Sequence, residues 1–161
     1  MENEIKAFIK NSKLSLLAVL CNATQIWRRS IPKEKQEVFK ENLSKIILNL
    51  LIKIDSNTLK NKDIRMAIKE LSSKSGLSIG VSQKPINVYL KFYCAILNKI
   101  DLLNELDCPI DSIVKKKQNL KNIALKDLDL KDYIEMQEIL RKNHTIQILA
   151  DKYWDESKLK K

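Results

Sequence analysis

The residue types best suited to metal binding and soft nucleophilic chemistry are scarce in this 161-residue chain. They are His144, the one histidine, and three cysteines, Cys21, Cys94 and Cys108. No Cys-x-x-Cys spacing occurs, so a Cys/His zinc site and a four-cysteine iron–sulfur cluster are excluded. A histidine-based triad would rest on His144 alone, with no nucleophile motif near it. The odd cysteine count suggests reduced, mostly buried thiols and a cytoplasmic protein. Neither Gly-x-x-x-x-Gly-Lys-Ser/Thr nor Gly-x-Gly-x-x-Gly is present, which removes the glycine-rich phosphate loops. No metal and no cofactor are expected, and any chemistry is left to amines and carboxylates.

The amines are abundant. Lys plus Arg number 30 against 20 for Asp plus Glu, a net charge of +10. A pI near 9.5 is the electrostatic footprint of a nucleic-acid binder. A lysine-rich coding bias gives the same composition, and Arg28, Arg29, Arg65 and Arg141 are the only arginines. The run Lys115–Lys117 reads first as a solvated stretch and second as a phosphate contact.

The elements that must position these groups read as helices throughout. Only two glycines and three prolines occur, too few for the regular turns of an all-β sandwich or barrel. The longest apolar run, Leu16–Cys21, is far short of a membrane span. The Met-Glu-Asn-Glu start does not read as a signal peptide. Apolar spacing predicts a first helix over 2–27, with a break near Asn11-Ser12. Ser30, Pro32 and Glu34 then mark a helix start, and that helix runs to Asp55-Ser56-Asn57. A third spans about 62–72 and a fourth about 82–98, followed by one or two turns over 100–106. A short helix starts at Asp111 or Ser112, a longer one covers 128–143, and a last one covers 145–154. The expected architecture is one compact all-α domain over 1–161.

Both glycines fall within Ser72–Gly80, immediately before the fourth helix. Gly80-Val81-Ser82-Gln83-Lys84-Pro85-Ile86-Asn87-Val88-Tyr89-Leu90 follows. With Leu77 before it and Cys108-Pro109-Ile110-Asp111-Ser112-Ile113-Val114 after it, this stretch resembles the helix-hairpin-helix DNA glycosylase superfamily. The matching residues are Leu77, Gly80, Val81, Lys84, Asn87 and Leu90, then Pro109 and Asp111. An archaeal branch that removes 8-oxoguanine looks nearest. The resemblance covers about Leu77–Val114 and implies a helix-hairpin-helix element over about 62–98. Ser82 stands where the family has a second hairpin glycine. Pro85 follows the lysine and is tolerable if it sits in the first helical turn.

The resemblance implies a base-excising glycosylase with AP-lyase activity on double-stranded DNA. Lys84 would be the nucleophile and Asp111 its base and electrostatic partner. A lysine is ordinarily protonated at neutral pH, and a helix start helps to lower its affinity for the proton. The hairpin would present Gly76, Gly80, Ser82 and Gln83 to a phosphate, optionally through a monovalent cation. Lys74 and Lys91 would hold further phosphates. The target base leaves the stack, and Trp27, Tyr153 and Trp154 are the candidates for its pocket.

Two other functions compete. A non-catalytic nucleic-acid binder needs the hairpin and the lysines but not Asp111. A small helical subunit of a nucleoprotein complex needs neither, and shows an exposed apolar helix face instead. Taken singly, Asp111 reads as a helix cap, Lys84 as solvated surface and the glycines as a plain turn. Spacing sets a geometric condition on the enzyme. Lys84 and Asp111 lie 27 residues apart. A helix unbroken to Leu106 is ~30 Å long at ~1.5 Å per residue, too far for Asp111 to return. The helix must therefore end near Asn98-Lys99, and the chain must fold back along it.

Overall fold

The structure is a computed structural model and describes residues 2–23 and 31–143. All regular elements among the described residues are helical, in agreement with the all-α expectation. They are α1 (Glu2–Ala23), α2 (Gln36–Asp55), α3 (Asn61–Ser75), α4 (Ile79–Ile96), α5 (Ser112–Lys117) and α6 (Leu130–Asn143). Single 3₁₀ stretches occupy Lys33–Lys35, Ile100–Glu105 and Leu125–Asp127. None of the described helices is long and apolar enough to cross a membrane.

Local chemistry explains the boundaries. α3 stops at Gly76, whose φ of 62° is the left-handed turn that favours glycine. Ser78 then caps α4 by accepting the Val81 N–H at 3.2 Å. α2 and α4 are followed by Asn57 and Asn98 at φ 55° and 53°; asparagine tolerates this conformation better than most residues. α5 begins behind Asp111, whose Oδ1 accepts the N–H groups of Ile113 and Val114, both at 2.9 Å.

Two expectations fail. α1 continues through Asn11-Ser12. Neither residue costs a helix more than a few tenths of a kcal/mol, too little to interrupt it without a Gly or Pro. α4 starts at Ile79, three residues earlier than expected, which places Pro85 beyond the first turn. Pro85 therefore withholds a hydrogen bond from the Val81 carbonyl. The Ser30 cap and the helix over 145–154 lie outside the described residues.

α4 is the hub. α1, α2, α3, α6 and the two later 3₁₀ stretches all pack against it. From Ile79 to Leu90 every residue of α4 except Lys84 is buried. Burial on several sides matches the high apolar content of this helix, which is broader than a single amphipathic stripe. Tyr89 is its fully buried aromatic and stacks on Tyr93 at 5.7 Å between ring centroids; Phe92 is half-buried.

Candidate functional site

α4 ends at Ile96, and the chain reverses through Asn98 and the 3₁₀ stretch at Ile100–Glu105. Residues 106–111 then run back along α4, as the 27-residue spacing requires. The return is locked by Gln83. Its Nε2 donates to the Ile110 carbonyl at 2.7 Å, and its Oε1 accepts the Ile110 N–H at 3.2 Å. Each partner lies one residue before a candidate: Gln83 before Lys84, Ile110 before Asp111. Lys84 is half-buried and Asp111 is 8% exposed.

A second glutamine repeats the clasp from the other side. Gln137 of α6 donates to the Cys108 carbonyl at 2.7 Å and accepts the Cys108 N–H at 3.0 Å. Two buried amides thus serve both backbone groups of residues 108 and 110. Pro109, between them, has no N–H to satisfy. An extended segment can cross a helical core in this way without unpaired backbone groups.

Asp107 anchors the start of that segment. Its carboxylate is wholly buried. It accepts from Arg141 at 2.9 Å, Arg65 at 3.1 Å, Asn61 at 2.8 Å and Tyr133 at 3.0 Å. A carboxylate bonded to arginine acts as an acceptor only, which sets the direction of the remaining bonds. Tyr133 must donate to Asp107, so its oxygen is free to accept from Asn87 Nδ2 at 2.9 Å. The same Nδ2 donates to Gln83 Oε1 at 3.0 Å. Asn87 Oδ1 is left buried and without a partner, as is Ser82 Oγ. The path from Asp107 through Tyr133, Asn87 and Gln83 to Ile110 ties the Lys84 end of α4 to the Asp111 end of the returning chain. Burial pushes the Tyr133 phenol well above its ordinary range, and the Asp107 charge adds to the shift.

The expected DNA contacts fare differently. Gly76 is the exposed turn residue after α3, and Lys74 is exposed and paired with Glu70 at 2.5 Å. Ile79–Ser82 is not a loop, which corrects the hairpin expectation; it is the opening of α4. Gly80, Ser82 and Gln83 are buried there. Ser78 Oγ donates to the Leu125 carbonyl at 2.7 Å. A Cβ on Gly80 would lie 2.2 Å from that same oxygen. The end of α4 expected to face a phosphate is therefore covered by the 3₁₀ stretch at Leu125–Asp127. Lys91 is 7% exposed, with its ammonium 5.3 Å from the centre of the Phe92 ring. Lys115 is turned inward to the Ile123 carbonyl, while Lys116 and Lys117 are exposed. Trp27, Tyr153 and Trp154 lie outside the described residues. No group of three or more His, Cys, Asp or Glu among the described residues could hold a metal.

Sequence reasoning missed Asn61, Arg65, Asp107, Tyr133, Gln137 and Arg141. A signal existed. Gln83 and Asn87, Asn61 and Arg65, and Tyr133, Gln137 and Arg141 are polar residues spaced by four along α4, α3 and α6. Such spacing puts each set on one helix face, here beside apolar core positions. Comparison with protein families, with curated proteins and with solved structures found no match.

Proposed function

We propose that the chain acts on double-stranded DNA as a base-excising glycosylase with AP-lyase chemistry. The observation that carries this reading is the Gln83–Ile110 clasp, which joins the neighbours of Lys84 and Asp111. In the proposed reaction the Lys84 amine, once deprotonated, attacks C1′ of a flipped nucleotide. The bond from C1′ to the base breaks, and its electron pair leaves with the base. Asp111 receives the amine proton and offsets the positive charge that develops on the sugar. A second proton then passes from the Lys84 nitrogen to O4′ as the C1′–O4′ bond breaks, giving an imine between Lys84 and C1′, the species that permits strand cleavage. The leaving base is an oxidised purine such as 8-oxoguanine.

A second reading is a non-catalytic nucleic-acid binder. Asp111 favours it, because one carboxylate oxygen is already committed to two backbone N–H groups of α5.

Borohydride trapping on duplexes carrying 8-oxoguanine, uracil or an abasic site separates the two. The enzyme predicts a covalent adduct that Lys84→Gln abolishes and Asp111→Asn slows by at least ~100-fold. The absence of both adduct and base release, with binding that weakens steeply as salt rises, selects the binder.

A further inference from the structure

α1 and α2 border a groove of about 330 Å³, within the range of small-ligand sites. Ile9 of α1 and Leu48, Leu51 and Ile52 of α2 give it an apolar lining. Leu51 is buried and Leu48 half-buried, whereas Ile9 is 47% and Ile52 67% exposed. Apolar surface on both sides of the groove therefore stands in water, where covering it is favourable.

The charged residues of the groove are unequal. Lys13 is held in place: its ammonium is bonded to Asp55 at 2.8 Å and lies 5.5 Å from the centre of the Tyr93 ring, and its carbonyl accepts from Tyr89 at 3.0 Å. Lys6 is paired with Glu2 at 2.6 Å. Lys10 lines the same groove, is exposed, and has no ionic partner among the described residues. Three ammonium groups against two carboxylates leave one positive charge beside an apolar lining.

We propose that this groove binds a single-chain carboxylate amphiphile, a medium-chain fatty acid. Charge complementarity identifies the head group. One uncommitted ammonium matches one negative charge, whereas a phosphate ester carries nearly two. The net charge of +10 favours an anionic amphiphile over a cationic or neutral one of the same length. The carboxylate meets Lys10, and the hydrocarbon covers Ile9, Leu48 and Ile52 over Leu51. Lys6 to Lys13 spans ~10 Å at ~1.5 Å per residue. That is about two helical turns, shorter than the three or four of an ordinary helix, so an alkyl chain fits the groove better than a docked helix does. The groove shares no residue with the clasp beside Lys84 and Asp111, and the proposal goes beyond the reading of that site.

Isothermal titration calorimetry of the full chain with sodium octanoate and sodium decanoate, below their micelle concentrations, tests the site. The expected result is one-to-one binding of decanoate with a Kd tighter than ~1 mM. Each buried methylene is worth up to about fourfold, so decanoate should bind roughly 10-fold tighter than octanoate. Lys10→Gln should weaken decanoate about threefold to fivefold, and Ile52→Glu at least ~10-fold. Both residues are exposed, and unchanged helicity by circular dichroism confirms that the variants fold. Lys131→Gln, a change at an exposed lysine outside the groove, should leave binding as it is. Decyltrimethylammonium should bind at least ~10-fold more weakly than decanoate. No binding tighter than ~1 mM, or decanoate binding indifferent to Ile52→Glu, overturns the proposal. Equal binding of the decyl cation, or equal weakening by Lys131→Gln and Lys10→Gln, shows general adherence or counter-ion attraction and overturns it as well.

Discussion

Asp107 holds two guanidiniums, a phenol and an amide with no solvent around it. Removing its charge leaves Arg65 and Arg141 without their buried counter-ion. Asp107→Asn should lower the unfolding free energy by about 3–5 kcal/mol, and Tyr133→Phe by about 1–3 kcal/mol, both read from urea unfolding. A loss below ~1 kcal/mol for Asp107→Asn would mean that Glu138, which pairs with Arg65 at 3.0 Å, takes over the compensation. The thiols give a pH prediction. Burial pushes Cys94 up to about 11 and Cys21 up to about 12, from an ordinary value of 9.0. A group whose folded pKa is raised has its stabilising effect intact below the unfolded value. That effect is lost as pH rises through the folded one. Melting temperature should therefore fall from about pH 9 upward, and Cys21→Ala with Cys94→Ala should flatten the decline. Identical slopes in the double variant would assign the loss to the buried tyrosines. At this scale the sequence displays its chemical types well and their partners badly. Asp111 is legible as a cap because its targets are two and three residues away. Asp107 is not, because Arg65 and Arg141 lie 42 and 34 positions off.

Between elements, the two glycines do different work. Gly76 has φ +62°, and a Cβ there would meet only the Lys35 amine at 3.4 Å. Gly76→Ala should therefore cost about 1–2 kcal/mol through backbone strain alone. Gly80 has ordinary helical backbone, where alanine by itself would gain up to ~1 kcal/mol. Its added methyl would instead displace the Leu125 carbonyl and disturb the Ser78 bond to it. Gly80→Ala should consequently lose roughly 1–3 kcal/mol net, measured by thermal or urea unfolding. A neutral or stabilising result would show that the 3₁₀ stretch at Leu125–Asp127 yields freely. The pair of glycines, read as one hairpin, divides into a helix stop and a close approach. Only the stop is a local event, and so only the stop could be read along the chain.

Across the whole molecule, the net charge of +10 sets how the chain meets a polyanion. On the proposed DNA-binding reading, affinity for undamaged duplex should fall linearly in log–log form with salt, by about 0.9 per phosphate neutralised. Lys115 is already turned to the Ile123 carbonyl, whereas Lys116 and Lys117 are exposed. Replacing Lys116 and Lys117 by alanine should reduce the slope by at most ~1.8, and Lys115→Ala should leave it unchanged. A slope unaffected by the double change would place the phosphate contacts on another face. The sequence by itself determined the helical class, most helix extents to within a few residues, the cap at Asp111 and the end of the fourth helix near Asn98. All of these follow from interactions between residues a few positions apart. Tertiary structure alone decided that Ile79–Ser82 is sealed under Leu125. It alone set two glutamines on opposite sides of residues 108–110 and gathered Arg65, Tyr133 and Arg141 around Asp107. The physical reason is separation: helical period and capping are near-neighbour effects, while burial, close approach and the pairing of a buried charge depend on segments that meet only when the chain has folded.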